Sequence, residues 1–258
     1  MFWRTSSPLD ADDEEWQLDC WGWLLRHFGG AAALRKRSLI LPTRAFFTPS
    51  EEQGHAAASH YFGQVAAYFG IDAARFNLVP QEDSIDPVLG PLQVLQDAPR
   101  EPAGTFSVSR GGAMTITYNP AIVPKPMKLI ATFAHEICHP LLFSVPEEPP
   151  GGTEMEEFAT DLAVTFFGFG IFNSNTAASF TQYRDTATGT QGWSFERQGY
   201  LSPAERAFAP ALFIQARGQG IQDAREYLDS GPLAYFRKAT KYLAQTPSIS
   251  SDLLAAHQ

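Results

Sequence analysis

Apolar residues recur at helical spacing from Asp12 to Phe28. Trp16, Cys20, Trp23, Leu24 and His27 line one face of a predicted amphipathic helix that begins among acids and stops at Gly29-Gly30. His27 on that stripe reads as a packing residue. Ser38 to Leu41 then reads as a short strand, Glu51 to Phe69 as a helix and Arg75 to Pro80 as a second strand, a strand-helix-strand unit. Gln81 to Pro102 holds many prolines and no period, and is expected to be a surface connection. Beyond it, Thr105 to Ser109 and Ala113 to Tyr118 alternate apolar and polar residues around Arg110-Gly111-Gly112, which predicts a hairpin closed by Asn119-Pro120.

Pro124 and Pro126 open a helix through Met127 to Phe133, where missing N–H groups cost nothing. Pro146 to Gly152 can only be a loop, with its acids in solvent, and Phe158, Leu162, Phe166 and Phe169 then form the buried stripe of another helix. Asn173 to Tyr200, polar but rich in aromatics, is expected to be a long loop walling a cleft. Ser202-Pro203-Ala204-Glu205 is a capping box that starts a helix to Arg217, with a kink expected at Pro210 and an end at Gly218. Helical stretches follow near Ile221 to Leu228 and Pro232 to Leu243, and residues 247–258 are expected to be a flexible tail.

With 258 residues, 44% of them hydrophobic and 18% charged, the chain can bury a full core. Net charge is −9 and the acids are dispersed except between Asp10 and Glu15, so the basic stripe that phosphate binding needs is missing and nucleic acid is not an expected partner. The longest apolar run, Leu162 to Phe172, is too short to cross a bilayer, and no basic-then-apolar leader opens the chain. A cytoplasmic location with no membrane partner is therefore expected. Cys20 and Cys138 are the only cysteines and their spacing suggests no disulfide framework; Cys138 reads as a small buried packing residue.

The chemistry concentrates in His135-Glu136-Ile137-Cys138-His139, an H-E-x-x-H pentapeptide at the end of the Met127 helix. Histidines four apart lie one turn above the other on one helix face, so both imidazoles can reach a single ion while the glutamate between them stands beside it. That is the geometry of a catalytic zinc, with Glu136 placed to take a proton from water. His55 and His60, five apart, do not share a face and make poor joint ligands. Beyond the pentapeptide, the stretch Glu154 to Leu162 sets Glu157, with seventeen residues between it and His139, and Asp161 four apart on a second helix. One such carboxylate can complete a zinc site while the other orients a ligand histidine. Glu154 or Glu156 could substitute for Glu157, but only Glu157 has an acid one turn later. Pro140, directly after the second histidine, is expected to end the helix there.

Over residues 104–172 this H-E-x-x-H then E-x-x-x-D pattern resembles the gluzincin metallopeptidases, whose familiar members are thermolysin-like, and the chain length is closest to the minigluzincins. The resemblance implies His135, His139 and Glu157 as zinc ligands, Glu136 as general base and Asp161 as the partner of a ligand histidine. It also implies an α+β, zincin-like fold with a small N-terminal sheet and a mostly helical C-terminal half. In domain terms, one domain is expected over 1–246: an α/β part to about 123, the metal-site helices from 124 to about 172 and a helical part beyond. In such peptidases the strand before the metal helix is commonly the edge where substrate lies. Ala113 to Tyr118 is thus either a strand-addition site or an edge facing solvent.

The expected function is hydrolysis of peptide bonds in a peptide or protein substrate, as limited intracellular proteolysis by a chain assumed monomeric; the alternative is an inactive zinc-binding regulatory or scaffold protein. Thermolysin-like enzymes add a downstream histidine that stabilises the oxyanion, and here only His257 follows His139. Tyr200 and Tyr183 are the first candidates for that donor, ahead of Arg184 and Arg197, because a phenol donates without a charge that repels zinc.

Overall fold

A computed structural model describes residues 5–81, 103–181, 201–218 and 220–258. In chain order these form helices α1 (Ala11–His27), α2 (Gly30–Lys36) and α3 (Gly54–Tyr68), strands β1 (Phe76–Pro80), β2 (Gly104–Val108) and β3 (Met114–Tyr118), and helix α4 (Pro126–Phe143). Helix α5 (Glu156–Val164) is followed by a π turn over Thr165–Phe169, kinked at Gly168, and then by α6 (Gly170–Thr181). Four helices follow: α7 (Pro203–Arg217), α8 (Ile221–Tyr227), α9 (Ser230–Gln245) and α10 (Ser248–Ala255). The class is mixed α+β, largely helical with one small sheet. The chain divides into two compact units, one of residues 49–136 and the other of residues 1–48 with 137–258, and the division falls within α4.

The 49–136 unit is α3 with the sheet and the first part of α4. Strand order is β1-β3-β2, with β1 parallel and β2 antiparallel to β3. The β2–β3 hairpin forms as its alternation predicts, and its turn is closed by Ser109 N–H to Ala113 O at 2.9 Å and Gly112 N–H to Ser109 O at 2.9 Å. Gly112 takes the left-handed φ of 80° that the turn demands. β3 is the central strand rather than an edge, because β1 arrives parallel on its other side, and its backbone groups are already committed to neighbours. Strand addition at Ala113 to Tyr118 is thereby ruled out. The core is aromatic: Phe62 packs edge-on against both Phe76 and Phe133, and Tyr118 against Phe133. The Tyr118 hydroxyl pairs with His55 Nδ1 at 3.0 Å, and burial raises its pKa.

In the other unit Asp10 caps α1 by accepting from Asp13 N–H, and Gly29 and Gly30 end it with φ of 92° and 66° before α2, a helix that the pattern did not announce. Ser38 to Leu41 is not a strand. Leu39 and Ile40 are buried, and Ile40 N–H bonds to the Gly168 carbonyl at 3.0 Å, so the segment spends its apolar content packing on the π turn instead of in a ladder. Phe158, Leu162, Phe166 and Phe169 are all buried as expected. Arg37 lays its guanidinium over the Phe166 and Phe167 rings at 4.7 and 4.3 Å, where burial pushes its pKa down to about 10. The predicted loop from Asn173 is helical as far as Thr181, because α6 carries buried Asn173, Ser174 and Thr176, whose polar groups bond inside the fold. The capping box of α7 forms on both sides, between Ser202 and Glu205. The tail is not loose: residues 248–255 are helical, Leu254 is buried and the His257 carbonyl accepts from Ala31 N–H at 2.8 Å. Among the described residues no helix is long and apolar enough to cross a membrane.

Candidate metal centre

Helix α4 does not stop at His139. It runs three residues past Pro140, to Phe143. A proline inside a helix removes one N–H bond and crowds the carbonyl four residues back, yet here it lies in the last turn, where Ser144 N–H still reaches the Pro140 carbonyl at 3.2 Å. The expectation that the helix ends at His139 is corrected, and both histidines keep their helical register.

That register does what the spacing predicts. The ligand atoms of His135, Glu136 and His139 lie within 4.8 Å of one another, and among the described residues they are the only group of three or more acids, histidines or cysteines close enough to hold a metal ion. The turn is sorted by face: Ile137 and Cys138 are completely buried, Glu136 is 5% exposed, and the two histidines are half-buried. Cys138 thus faces the interior, as a packing residue should.

The second helix places its acids unequally. Glu154 and Glu156 are exposed, whereas Glu157 Oε1 stands 3.8 Å from His139 Nε2. Of the three alternatives only Glu157 is seen to approach a motif histidine. Asp161, one turn on, is 2% exposed, and its Oδ2 accepts from Arg206 Nη2 at 2.7 Å and from Leu201 N–H at 3.2 Å. Arg206, 1% exposed, also donates to the carbonyls of Leu201 and Asn173, at 3.2 and 3.4 Å, and Asn173 Nδ2 donates back to the Asp161 carbonyl at 3.0 Å. A buried ion pair with this many hydrogen bonds is satisfied at both ends. It ties α5, α6 and the start of α7 together one turn from Glu157.

The connection between α4 and α5 is held from outside by α1. Trp16 Nε1 donates to the Pro150 carbonyl at 2.8 Å and Trp23 Nε1 to the Glu147 carbonyl at 3.2 Å. The Glu147 carboxylate is not merely solvated: it pairs with His27 at 2.8 Å and Arg26 at 3.0 Å, which hold its pKa below the ordinary carboxylate range, His27 contributing most. His27 is therefore a hydrogen-bond partner of Glu147 as well as a neighbour of the Trp23 ring.

Two residues of this region escaped the sequence reading. Arg206 lies 45 residues from Asp161 and sits just inside a capping box, where a basic side chain usually meets water. Gly104 stands one residue ahead of the alternating segment with nothing in the sequence to mark it, yet it is buried as the first residue of β2. Tyr183, Tyr200, Arg184 and Arg197 lie outside the described residues. The two imidazoles and the Glu136 carboxylate of α4, with Glu157 close to His139, form a cluster that could hold a metal ion. Comparison with protein-family models, curated proteins and solved structures gives no match.

Proposed function

We propose that the chain is a metal-dependent hydrolase of peptide bonds, with His135 and His139 as imidazole ligands, Glu157 as carboxylate ligand and zinc as the ion. The observation that carries this reading is the convergence of the His135, Glu136 and His139 side-chain atoms within 4.8 Å on one helix. Glu157 at 3.8 Å from His139 supports it. A zinc ion in such a site supplies Lewis acidity, lowering the pKa of a water molecule to about 7 and polarising the scissile carbonyl.

The chain's own residues then have distinct tasks. Glu136, set between two ligands and nearly closed off from solvent, takes the proton of the attacking water at its carboxylate and delivers it to the leaving amine, so that it ends each turnover ionised again. Its enclosure keeps competing water away from the proton it holds. Asp161 and Arg206 keep α5 in place, so that the carboxylate of Glu157 needs little reorganisation to meet an ion. The oxyanion donor is proposed to be Tyr200 or Tyr183, by the chemistry of a neutral phenol.

The test has two stages. Elemental analysis of the purified protein should find near-stoichiometric zinc that disappears in His135→Ala; metal-free wild type overturns the site. A quenched-fluorescence peptide library should then be cleaved by wild type and not by Glu136→Gln, which retains zinc because the substitution leaves all three ligands in place. Zinc without any cleavage would instead identify an inactive metal-binding regulator.

A further inference from the structure

Gly104 is buried at the start of β2, and the space where its side chain would stand is already occupied. A Cβ at this position would lie 2.7 Å from Thr132 Cγ2, 3.0 Å from the Thr117 carbonyl oxygen and 3.1 Å from Glu136 Cγ. Backbone conformation is not the reason for the glycine, since Gly104 is not among the residues with positive φ. Space is the reason. Thr132 and Glu136 are one turn apart on α4, so β2 begins with its bare backbone laid along the same helix face as the proposed general base.

The three neighbours differ in how far they can yield. The Thr117 carbonyl belongs to β3, which is laddered on both sides and is tied again to β2 by the Thr105–Thr117 hydroxyl contact at 2.7 Å. Thr132 is buried at 5% exposure, and as a β-branched residue it is stiff at χ1. Just before Gly104 the strand is anchored by Asn119 N–H to the Ala103 carbonyl at 3.0 Å. The unbranched stem of Glu136 is the soft partner, and it is the group that a new methyl displaces.

We propose that Gly104 is a positioning residue for Glu136: the absence of a side chain lets the edge-strand backbone pack on the Glu136 stem and restrict where its carboxylate stands. The inference rests on Glu136 acting as general base, and it names the contact that confines it. A base must be held to within about 0.5 Å of its productive place.

Gly104→Ala is the test, read first by crystallography. The Glu136 carboxylate should be displaced by more than about 0.5 Å while His135 and His139 stay in place and zinc content is unchanged. In turnover of a library peptide that wild type cleaves, kcat should fall between about tenfold and a hundredfold with KM within about twofold, the pattern of a misplaced catalytic group rather than lost binding. Thr132→Ser removes the methyl nearest the new Cβ; in the double variant Glu136 should return and kcat should recover to within about threefold of wild type. If Gly104→Ala alone does not fold, Gly104→Ser combined with Thr132→Ser is crystallised instead: its larger side chain should again displace the Glu136 carboxylate by more than about 0.5 Å, and an unmoved carboxylate there overturns the proposal. The proposal is overturned if Glu136 keeps its wild-type position in crystals of Gly104→Ala, or if kcat is unchanged while the carboxylate has moved. Should wild type cleave nothing, the hydrolase reading fails separately, and the crystallographic comparison still decides whether Gly104 confines Glu136.

Discussion

Glu157 and its acidic neighbours offer a comparison in which charge is constant and only geometry changes. Glu154 and Glu156 are exposed, and Glu157 alone is seen to face His139. Glu157→Ala is therefore expected to weaken zinc binding by well over about a hundredfold, and Glu154→Ala or Glu156→Ala by less than about threefold, in competition titrations against a chromophoric chelator. At this scale the histidines and Glu136 were legible because a separation of four residues on a helix is a geometric statement in itself. Arg206 was not, since its partner Asp161 is 45 residues away and nothing local marks a guanidinium that will be buried. Gly104 was hidden for a different reason: nothing in the sequence marks a glycine one residue ahead of an alternating stretch, and only the helix lying against it shows that a missing side chain is the point.

Among the elements, α5 is placed by two arrangements that predict different responses. The Asp161–Arg206 pair is buried at both ends, so Arg206→Ala leaves a carboxylate inside the fold without its cation and should destabilise by about 3–5 kcal/mol, measured by urea denaturation. The α1 contact with the α4–α5 connection is solvent-facing at Glu147, and its contribution should follow pH. The folded-state pKa of Glu147 is lowered, so its stabilisation is present above the unfolded value of about 4.3 and is lost as pH falls through the folded value. Glu147→Gln should thus lower the melting temperature near neutrality and converge with wild type in acid, in scans between about pH 3 and 7.

Periodicity found α1, α3, α4, the hairpin and the capped start of α7 because each is a local pattern. It misread Ser38 to Leu41, where an apolar run packs on a distant π turn through the Ile40 to Gly168 hydrogen bond. It also took β3 for an edge, because the parallel pairing with β1 is non-local. Pro140 misled because a proline in the final turn gives up one hydrogen bond without ending the helix.

For the molecule as a whole, the α+β class was legible, whereas the π turn that joins α5 to α6 was not. Within it Gly168 holds φ at 102°, and a Cβ there would come within 2.2 Å of the Ser38 carbonyl oxygen. The turn sets the angular phase between two helices that must present groups to the same arginine: the Asp161 carboxylate from the first and the Asn173 carbonyl from the second. Each residue of an α-helix advances about 100° around its axis, so removing a single residue between Thr165 and Phe169 would swing Asn173 round to another side of α6. Length here is a constraint as strict as identity. Deleting Phe167 should abolish cooperative unfolding, whereas Phe167→Ala, which keeps the count, should cost no more than about 3–5 kcal/mol and leave the transition intact by calorimetry. Homologous chains would then be expected to keep Gly168 and the residue count of this turn while exchanging its other side chains far more readily.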